Sequence, residues 1–354
     1  MFLKFIHFLS RLRNLTKIVN CLIFIFITVV SYHPILAGSN VSKSGTVAAL
    51  ILEIPASPRG MALGNAVIAN SADIGVFYWN PALATNYTCV TIGAVSTPWL
   101  LGTHFNHFSV IVPTPALTIG AYLSTWSMPD MDVRTEYYPE GTGEKFNAGD
   151  FVIGLSVARS LTDHFGIGGS IKYIQERIWH SSSNSIALDF GSIFTVDIWN
   201  GVRIGAVLKN YGTEMRLKGR DMYHYHDPNE EIDGNDENII SGYITDSWML
   251  PLLFKIGIST DIINSKRVRW AVELDAKHPS NNYESLDCGT EFEINNIYFI
   301  RIGAEKIFLK DEEISFCCGF GIKLPILTKP RFDYAFKDYN DIGVINSFAL
   351  EFGF

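Results

Sequence analysis

The chain has 354 residues, with 28 basic against 36 acidic side chains and a formal net charge of −8. This acidic balance argues against duplex nucleic acid as a partner, because binding to phosphates needs an excess of positive charge. Charged residues are only 18% of the chain, aromatic residues are 13% and glycines number 29, so the composition favours a sheet protein over a helical bundle.

The N-terminus has the order of a secretory signal peptide. An apolar run at residues 21–30 is followed by the small residue Ala37 and preceded by the basic residues Lys4, Arg11, Arg13 and Lys17. We therefore predict cleavage near Ala37, which removes residues 1–37. The alternative is a retained membrane anchor, because the run is near the shortest length that spans a bilayer. No other stretch approaches about 20 apolar residues, which excludes a protein with several membrane-spanning helices.

The segment that follows, residues 48–85, lacks the alternation of a strand. Residues 59–66 are rich in Gly and Ala, which allow close backbone packing and tight turns. Asn80 followed by Pro81 suits the start of a short helix, because Asn accepts a hydrogen bond from a free backbone N–H and Pro is tolerated at the first helical position.

Residues 59–66, the acidic Asp73 and residues 78–84 carry a family resemblance. Together they resemble the N-terminal hatch of the FadL-like outer-membrane family, whose members include long-chain fatty acid transporters, and most closely its PorV/PorQ branch. The resemblance implies that residues 38–85 form a hatch that plugs a barrel, with Asn80, Pro81 and Ala82 inside the lumen. The chain departs from the family at Asn65 and Leu83, where other members often have glycine.

Residues 86–354 break into alternating segments of about ten residues, the length of a tilted strand that crosses a membrane. They predict an all-β fold, a transmembrane antiparallel up-and-down β-barrel of about 14 strands with the hatch inside its lumen. A soluble sandwich is the alternative. The predicted strands are residues 87–96, 104–112, 117–126, 151–159, 167–177, 186–196, 202–211, 252–262, 267–277, 285–294, 298–308, 314–324, 331–337 and 344–354.

The links between the predicted strands alternate in length. The two largest links, residues 129–149 and 212–249, are polar and follow odd-numbered strands. Outer-membrane barrels pair short periplasmic turns with longer outer loops, so we expect both large links outside the cell, an alternation that a sandwich does not explain. The links after even-numbered strands are compact, at residues 113–116, 160–166, 197–201, 264–266, 295–296 and 325–330.

Charged residues alternate with apolar ones within the predicted strands. A charge facing lipid near the bilayer midplane would cost roughly 2–4 kcal/mol, so we predict that the charged face lines the lumen. Pairing among these charges and with the hatch is favoured over a water path, because a plugged barrel of this size leaves little room for bulk water. The predicted outward residues are Val268, Trp270, Val272, Leu274, Tyr298, Ile300, Ile302, Phe332, Tyr334 and Phe336. The predicted inward residues are Lys172, Asp189, Lys209, Lys255, Arg269, Glu273, Asp275, Arg301, Glu305, Lys323, Arg331, Asp333, Lys337 and Glu351.

The last predicted strand has the cleanest alternation in the chain. Its apolar face is typical of the closing strand of a bacterial outer-membrane barrel, in which apolar residues face lipid. We predict that outer-membrane lipid contacts this face and that the barrel assembly machinery recognises the strand. The residues of the face are Phe348, Leu350, Phe352 and Phe354.

Two groups of polar residues could carry chemistry. His104, His107 and Ser109 share a strand, but nothing supplies the orienting third group of a hydrolase, so we predict no catalytic residue and no enzyme. The alternative places both histidines near an aromatic outer rim beside Trp99. In the largest link, residues 224–227 and 233–237 offer imidazole and oxygen ligands, but the acidic run lacks the spacing of a calcium loop. We expect a solvated loop there, with no metal and no cofactor.

The resemblance leaves several functions open. A PorV/PorQ-type protein would act in transport or protein secretion across the outer membrane of a Gram-negative-type bacterium, as an accessory of type IX secretion that contacts secretion-system components or secreted cargo. A FadL-like channel would instead pass hydrophobic small molecules beside the hatch. A structural or adhesive envelope barrel without transport is the third reading. The acidic, polar outer loops suit protein contacts better than fatty-acid capture.

Overall fold

The computed structural model describes residues 43, 45–70, 73–227, 238–309, 314–339 and 342–354. All of these residues belong to one unit, Lys43–Phe354. The predicted signal peptide, residues 1–37, lies outside the described residues, so its cleavage stays a prediction.

Fourteen long antiparallel strands form a closed barrel, which confirms the predicted fold class. Each strand pairs with its neighbours along the chain, and the barrel closes where the last strand pairs with the first, from Thr91↔Gly353 to Ser96↔Phe348. The strands are β1 (Thr91–Pro98), β2 (His104–Pro113), β3 (Thr118–Ser127), β4 (Ala148–Ser160), β5 (Phe165–Ile178), β6 (Ser181–Val196), β7 (Val202–Gly212), β8 (Leu253–Asn264), β9 (Val268–Pro279), β10 (Ser285–Ile294), β11 (Tyr298–Ile307), β12 (Ser315–Lys323), β13 (Arg331–Asp338) and β14 (Val344–Gly353).

The links define two ends of the barrel. The compact links after even-numbered strands lie at what we call the inner end, and the turn between β10 and β11 shows why they are tight. Asn295 and Asn296 both have positive φ, 53° and 57°, the conformation of a two-residue hairpin turn that asparagine tolerates. The two largest links lie at the outer end and carry short hairpins, Met131–Asp132 with Lys145–Phe146 and Tyr223–His226 with Ile239–Gly242.

The two faces of the strands differ as the alternation predicts. On β11, Ile300 and Ile302 are 49% and 53% exposed, whereas Arg301 and Glu305 are 0% and 3% exposed. The other predicted inward charges are also buried, apart from Arg269, Lys323 and the half-buried Glu351. A closed sheet with an apolar exterior satisfies every backbone group without water, which is what a membrane-spanning structure requires.

The hatch consists of short helices joined by turns. They are the 3₁₀ helices Leu50–Glu53 and Pro81–Asn86 and the α-helices α1 (Pro58–Ala62) and α2 (Val76–Trp79). The Ser57 hydroxyl accepts a hydrogen bond from the Gly60 N–H, and the Asn80 side chain accepts one from the Ala82 N–H, each at 3.1 Å. Asn80 thus caps a helix that begins at Pro81, as predicted. Across the described ranges, none of the helices is both long and apolar enough to cross a membrane.

The hatch passes through the lumen from the outer end to the inner end. At the outer end Val47 bridges to Met249, and the Ala48 N–H donates to the Met249 carbonyl at 2.9 Å. At the inner end the chain leaves the hatch and enters β1 at Thr91, which lies opposite Ile111 beside the compact link between β2 and β3.

Glycines of the barrel wall allow the hatch backbone to approach closely. A Cβ on Gly303 of β11 would lie 2.2 Å from the carbonyl carbon of Leu63, and one on Gly205 of β7 would lie 2.3 Å from the carbonyl oxygen of Ile68. Leu63 and Ile68 are fully buried. The described residues 45–70 and 73–86 are therefore packed against the wall inside the barrel, as the fold prediction requires, while the bounds 38–85 of the hatch stay a prediction.

Candidate functional site

An arginine joins the hatch to the barrel wall. Arg59 of α1 is 1% exposed and makes a two-pronged contact with Glu291 of β10, at 3.0 Å from Nε to Oε2 and 3.1 Å from Nη2 to Oε1. Burial acts to lower the pKa of Arg59, but the carboxylates of Glu291 and Glu273 outweigh it and raise the pKa above its ordinary value. The guanidinium stays charged and fixes α1 to the wall.

The Asn-Pro-Ala segment lies against β5 and β6. Asn80 is fully buried, and its side-chain amide donates to the carbonyl oxygens of Ile68 at 2.9 Å and Ser192 at 3.1 Å. A Cβ on Gly191 would lie 2.0 Å from the Asn80 Oδ1 atom, and one on Gly168 would lie 2.5 Å from the Ala82 nitrogen. The segment therefore contacts both the rest of the hatch and the wall.

A cavity of about 1100 Å³ lies between the hatch and the outer loops. Its hatch side includes Tyr78 of α2, whose hydroxyl donates to the Leu52 carbonyl at 2.7 Å. Burial raises the pKa of Tyr78 well above its ordinary value, so the phenol stays neutral. The cavity wall is rich in aromatic residues: Tyr78, Trp79, Trp99, Trp126, Trp248, Tyr283 and Tyr339. Such a lining suits an apolar or aromatic molecule.

Most basic side chains in the cavity wall are already paired. Lys255 lies 3.1 Å from Asp287 and 3.4 Å from Asp275, Lys277 lies 2.9 Å from Asp287, and Lys337 contacts Glu305. These contacts support the predicted charge pairing within the lumen. Buried charges need such partners, because burial without one is costly.

Lys209 of β7 differs from these lysines. It is 4% exposed and lines the cavity, yet in the described part of the chain it forms no ion pair. Its ammonium lies 3.7 Å from the ring centroid of Tyr78 and 5.7 Å from that of Trp79. Lys209 is thus held against α2 by aromatic rings.

The two histidines of β2 lie in different environments. His104 is exposed at the outer start of the strand, next to the link that holds Trp99. His107 is fully buried on the inner face, and its Nδ1 atom lies 2.9 Å from the Ser124 hydroxyl. The strand alternation thus turns His107 inward, three residues from the outer start of β2 at His104. Ser109 is also buried, and within the described residues its hydroxyl forms no hydrogen bond with His107.

The largest outer loop folds back on itself. His224 stacks on Tyr243 with ring centroids 4.5 Å apart and lies 6.3 Å from the ring of His226. The acidic run at residues 233–237 lies outside the described residues. Over the ranges that the structure describes, no three His, Cys, Asp or Glu side chains are grouped to hold a metal ion.

The closing strand exposes its apolar residues. Phe348, Leu350 and Phe354 are 40%, 45% and 64% exposed, and Phe352 is half-buried on the same face. The Phe354 N–H donates to the Val90 carbonyl at 2.8 Å, which extends the pairing of β14 with β1 to the end of the chain.

Comparison with known proteins gives matches in structure and none in sequence. No protein-family model matches the chain, and no curated protein sequence matches it. Among solved structures, the toluene transporter TodX of Pseudomonas putida shares 9% identity and a TM-score of 0.52, over 84% of this chain and 96% of TodX. The chain has the fold of these barrels.

Two further solved structures have a similar fold. The monoaromatic hydrocarbon channel CymD shares 10% identity and a TM-score of 0.51, over 85% of this chain and 97% of CymD. The toluene transporter TbuX of Ralstonia pickettii shares 11% identity and a TM-score of 0.50, over 84% of this chain and 97% of TbuX. This likeness is one of fold, and the assignment to the PorV/PorQ branch stays a prediction.

Some cavity residues were missed from the sequence. Asp150 and Glu176 line the cavity, but the predicted inward set did not include them. Their parity with Val152 and Ile174, which are 2% and 0% exposed, places them on the inner face of β4 and β5. That parity was readable, but the predicted start of β4 at residue 151 left Asp150 in a loop.

Proposed function

We propose that this protein is an outer-membrane channel for small, largely apolar molecules, with the cavity above the hatch as its binding site. The observation that carries the proposal is the aromatic-lined cavity of about 1100 Å³ between the outer loops and the hatch. A volume of this size suits a small organic molecule. The fold supports the proposal, because TodX, TbuX and CymD are described as transporters or channels of toluene or monoaromatic hydrocarbons.

The route starts at the outer loops and stops at the hatch. Trp99 and Trp248 border the cavity on its outer side, whereas Tyr78 and Trp79 of α2 form part of its floor. Passage beyond the floor requires the hatch to shift. Asn80, Pro81 and Ala82, which join α2 to the wall at β5 and β6, are the segment that we propose must move.

Uptake across a lipopolysaccharide outer membrane tests the proposal. Cells that carry the native chain should take up radiolabelled toluene faster than cells with an empty vector. Ala48→Trp puts an indole into the cavity and should reduce the rate to the vector level. Ala116→Trp, the same change in an exposed inner link, should leave the rate unchanged. Equal uptake by native and vector cells would refute the channel and favour a structural barrel without transport.

A second candidate is an accessory role in type IX secretion. The resemblance of residues 59–66 and 78–84 to the PorV/PorQ hatch supports it, as do the large polar outer loops, which could contact secretion-system components or cargo. Deletion of the gene in its own host separates the candidates. A secretion accessory predicts that cargo proteins are lost from the cell surface while toluene uptake is unchanged, and a channel predicts the reverse.

Both candidate functions, the channel and the secretion accessory, require that the barrel inserts into the outer membrane. We propose that the outer-membrane lipid contacts Phe348, Leu350, Phe352 and Phe354 and that the barrel assembly machinery reads the same strand. Their exposure and their place at the barrel seam support it. Replacing Phe354 with Asp should slow insertion of the chain into outer membranes, measured as the fraction that resists protease.

A further inference from the structure

Four side chains from four neighbouring strands point into the cavity at one level. Trp126 of β3 lies opposite Asp150 of β4, Asp150 lies opposite Glu176 of β5, and Glu176 lies opposite Ser183 of β6. All four line the cavity. Because directly opposed residues have Cβ atoms about 4.5–5.5 Å apart, they form a continuous polar row.

The row places two carboxyl groups directly opposite each other without a balancing cation. Like charges directly opposite each other destabilise a sheet. Elsewhere in the lumen acids are matched with bases, as Asp189 is with Lys172 at 2.8 Å. Within the described ranges, neither Asp150 nor Glu176 forms an ion pair with a basic side chain, and Glu176 accepts only the Ala49 N–H, at 2.7 Å.

Ser183 gives an independent sign that the row meets a ligand. The residue is 4% exposed and lines the cavity, and its hydroxyl has no hydrogen-bond partner in the described part of the chain. Buried hydroxyls in native proteins nearly always have a partner. This hydroxyl is therefore available to a donor that enters the cavity beside Glu176.

We propose that the polar row binds the ammonium group of an amphiphilic amine, whose apolar body lies against the aromatic wall of the same cavity. The inference rests on the proposed function, since it names the class of molecule that the cavity takes up. Asp150 and Glu176 supply the opposite charge, Ser183 accepts an N–H, and Trp126 adds an aromatic ring that attracts cations. The Trp126 indole is held in place by its N–H, which donates to the Thr103 hydroxyl at 3.2 Å.

The row suits an organic cation better than a metal ion. Calcium takes six to eight oxygen ligands, but the row offers two carboxylates and one hydroxyl, and one carboxylate oxygen already accepts the Ala49 N–H. The volume of about 1100 Å³ also leaves space for an organic body.

Binding of a matched pair of probes tests the proposal. The full chain, folded in detergent micelles, is titrated calorimetrically with 4-phenylbutylamine and with the neutral 4-phenylbutanol at pH 7. We expect the amine to bind at least tenfold more tightly. Glu176→Gln keeps the acceptor for the Ala49 N–H, and Asp150→Asn keeps the side-chain shape. Each should weaken amine binding about tenfold and leave alcohol binding unchanged.

Two controls separate the row from general charge effects. Asp246→Asn removes a negative charge from the outer border of the same cavity and should leave the preference for the amine intact. Ser183→Ala should weaken amine binding only two- to threefold. The shift in gel mobility between heated and unheated samples confirms that each variant is folded.

Three results would overturn the inference: equal binding of amine and alcohol by the native chain, no binding of either, or calcium that displaces the amine and binds more tightly. None of these results decides the channel proposal, which stands or falls on toluene uptake. Conversely, preferential amine binding in a chain that takes up no toluene would support the polar row and refute the hydrocarbon channel.

Discussion

Two buried lysines show how differently the same side chain can be stabilised. Lys172 of β5 contacts both carboxylate oxygens of Asp189 at 2.8 Å and also the Asn210 side chain. Lys209 of β7 has aromatic rings in place of a carboxylate. Removal of one member of a buried ion pair leaves the other charge uncompensated, whereas removal of an unpaired charge does not.

We expect Lys172→Met to lower the free energy of unfolding by about 3–5 kcal/mol, because Asp189 is then buried without its cation. Lys209→Met should cause a clearly smaller loss, since no carboxylate is left behind. Urea unfolding of both variants in phospholipid vesicles measures the two values. Equal losses would mean that the ring contacts of Lys209 stabilise the barrel as strongly as an ion pair.

The residues that sequence could not place lie near the ends of strands. Inward charges in the middle of strands, such as Arg301 and Asp333, were predicted because charged and apolar residues alternate there and a charge facing lipid would be costly. Ser183 was missed, because residues 181–185 are Ser, Ser, Ser, Asn and Ser, and a run that is polar on both faces shows no period of two. Strand β6 begins at Ser181, five residues before its predicted start at residue 186.

At the scale of elements, the hatch is held by a few polar contacts that cross to the wall. Arg59 binds Glu291, Asn70 donates to Glu273 at 2.6 Å, and the N–H groups of Val67 and Ile68 donate to Asp275 at 2.9 and 3.2 Å. These contacts are specific in direction, unlike the apolar packing around them. A single change can therefore loosen the hatch without unfolding the barrel.

We expect Arg59→Met to raise amide hydrogen exchange at least tenfold across residues 57–70, with the strands unchanged. Glu291 keeps Arg301 at 2.6 Å, so the wall retains its own pairing. Arg203→Met is the matched control, because Arg203 pairs with Asp261 of the wall and not with the hatch. Exchange measured by mass spectrometry should show no hatch effect in that control. An equal rise in exchange across the strands and the hatch in Arg59→Met would contradict the expectation that the hatch loosens while the barrel stays folded.

At the scale of the whole molecule, the apolar exterior of the barrel is the surface for which we propose lipid contact. Ile302 lies near the middle of β11 and Tyr298 lies at its inner end, and they are 53% and 52% exposed on the same face. The cost of a charge on this face depends on depth in the bilayer. Ile302 and Tyr298 are equally exposed but lie at different heights along the barrel, so they form a matched pair for testing this dependence.

We expect Ile302→Arg to lower the free energy of unfolding in phospholipid vesicles by about 2–4 kcal/mol and Tyr298→Arg by only about 0–1 kcal/mol. The difference arises because an arginine at the strand end reaches the interface. Denaturant titration of both variants measures it. The same loss at both positions would show that the apolar face is not immersed in lipid.

The fold could be predicted almost entirely, and the cavity could not. Each strand can be recognised from the alternation within its own residues. Fourteen such segments, joined by compact and long links in turn, fit few other architectures. The cavity is bounded by residues far apart in sequence, such as Leu52, Trp126 and Tyr283. Their meeting depends on how the hatch threads the lumen, and no local pattern encodes that path.

The bridge between Val47 and Met249 has a consequence for movement. The hatch is bonded to an outer loop at Val47, at the outer end of the barrel, and continues into β1 at the inner end. A segment held in this way cannot leave the lumen at either end while both attachments hold. In the proposed channel, a molecule would therefore pass alongside the hatch while residues 80–82 shift between the two attachments, and the lumen would stay occupied throughout.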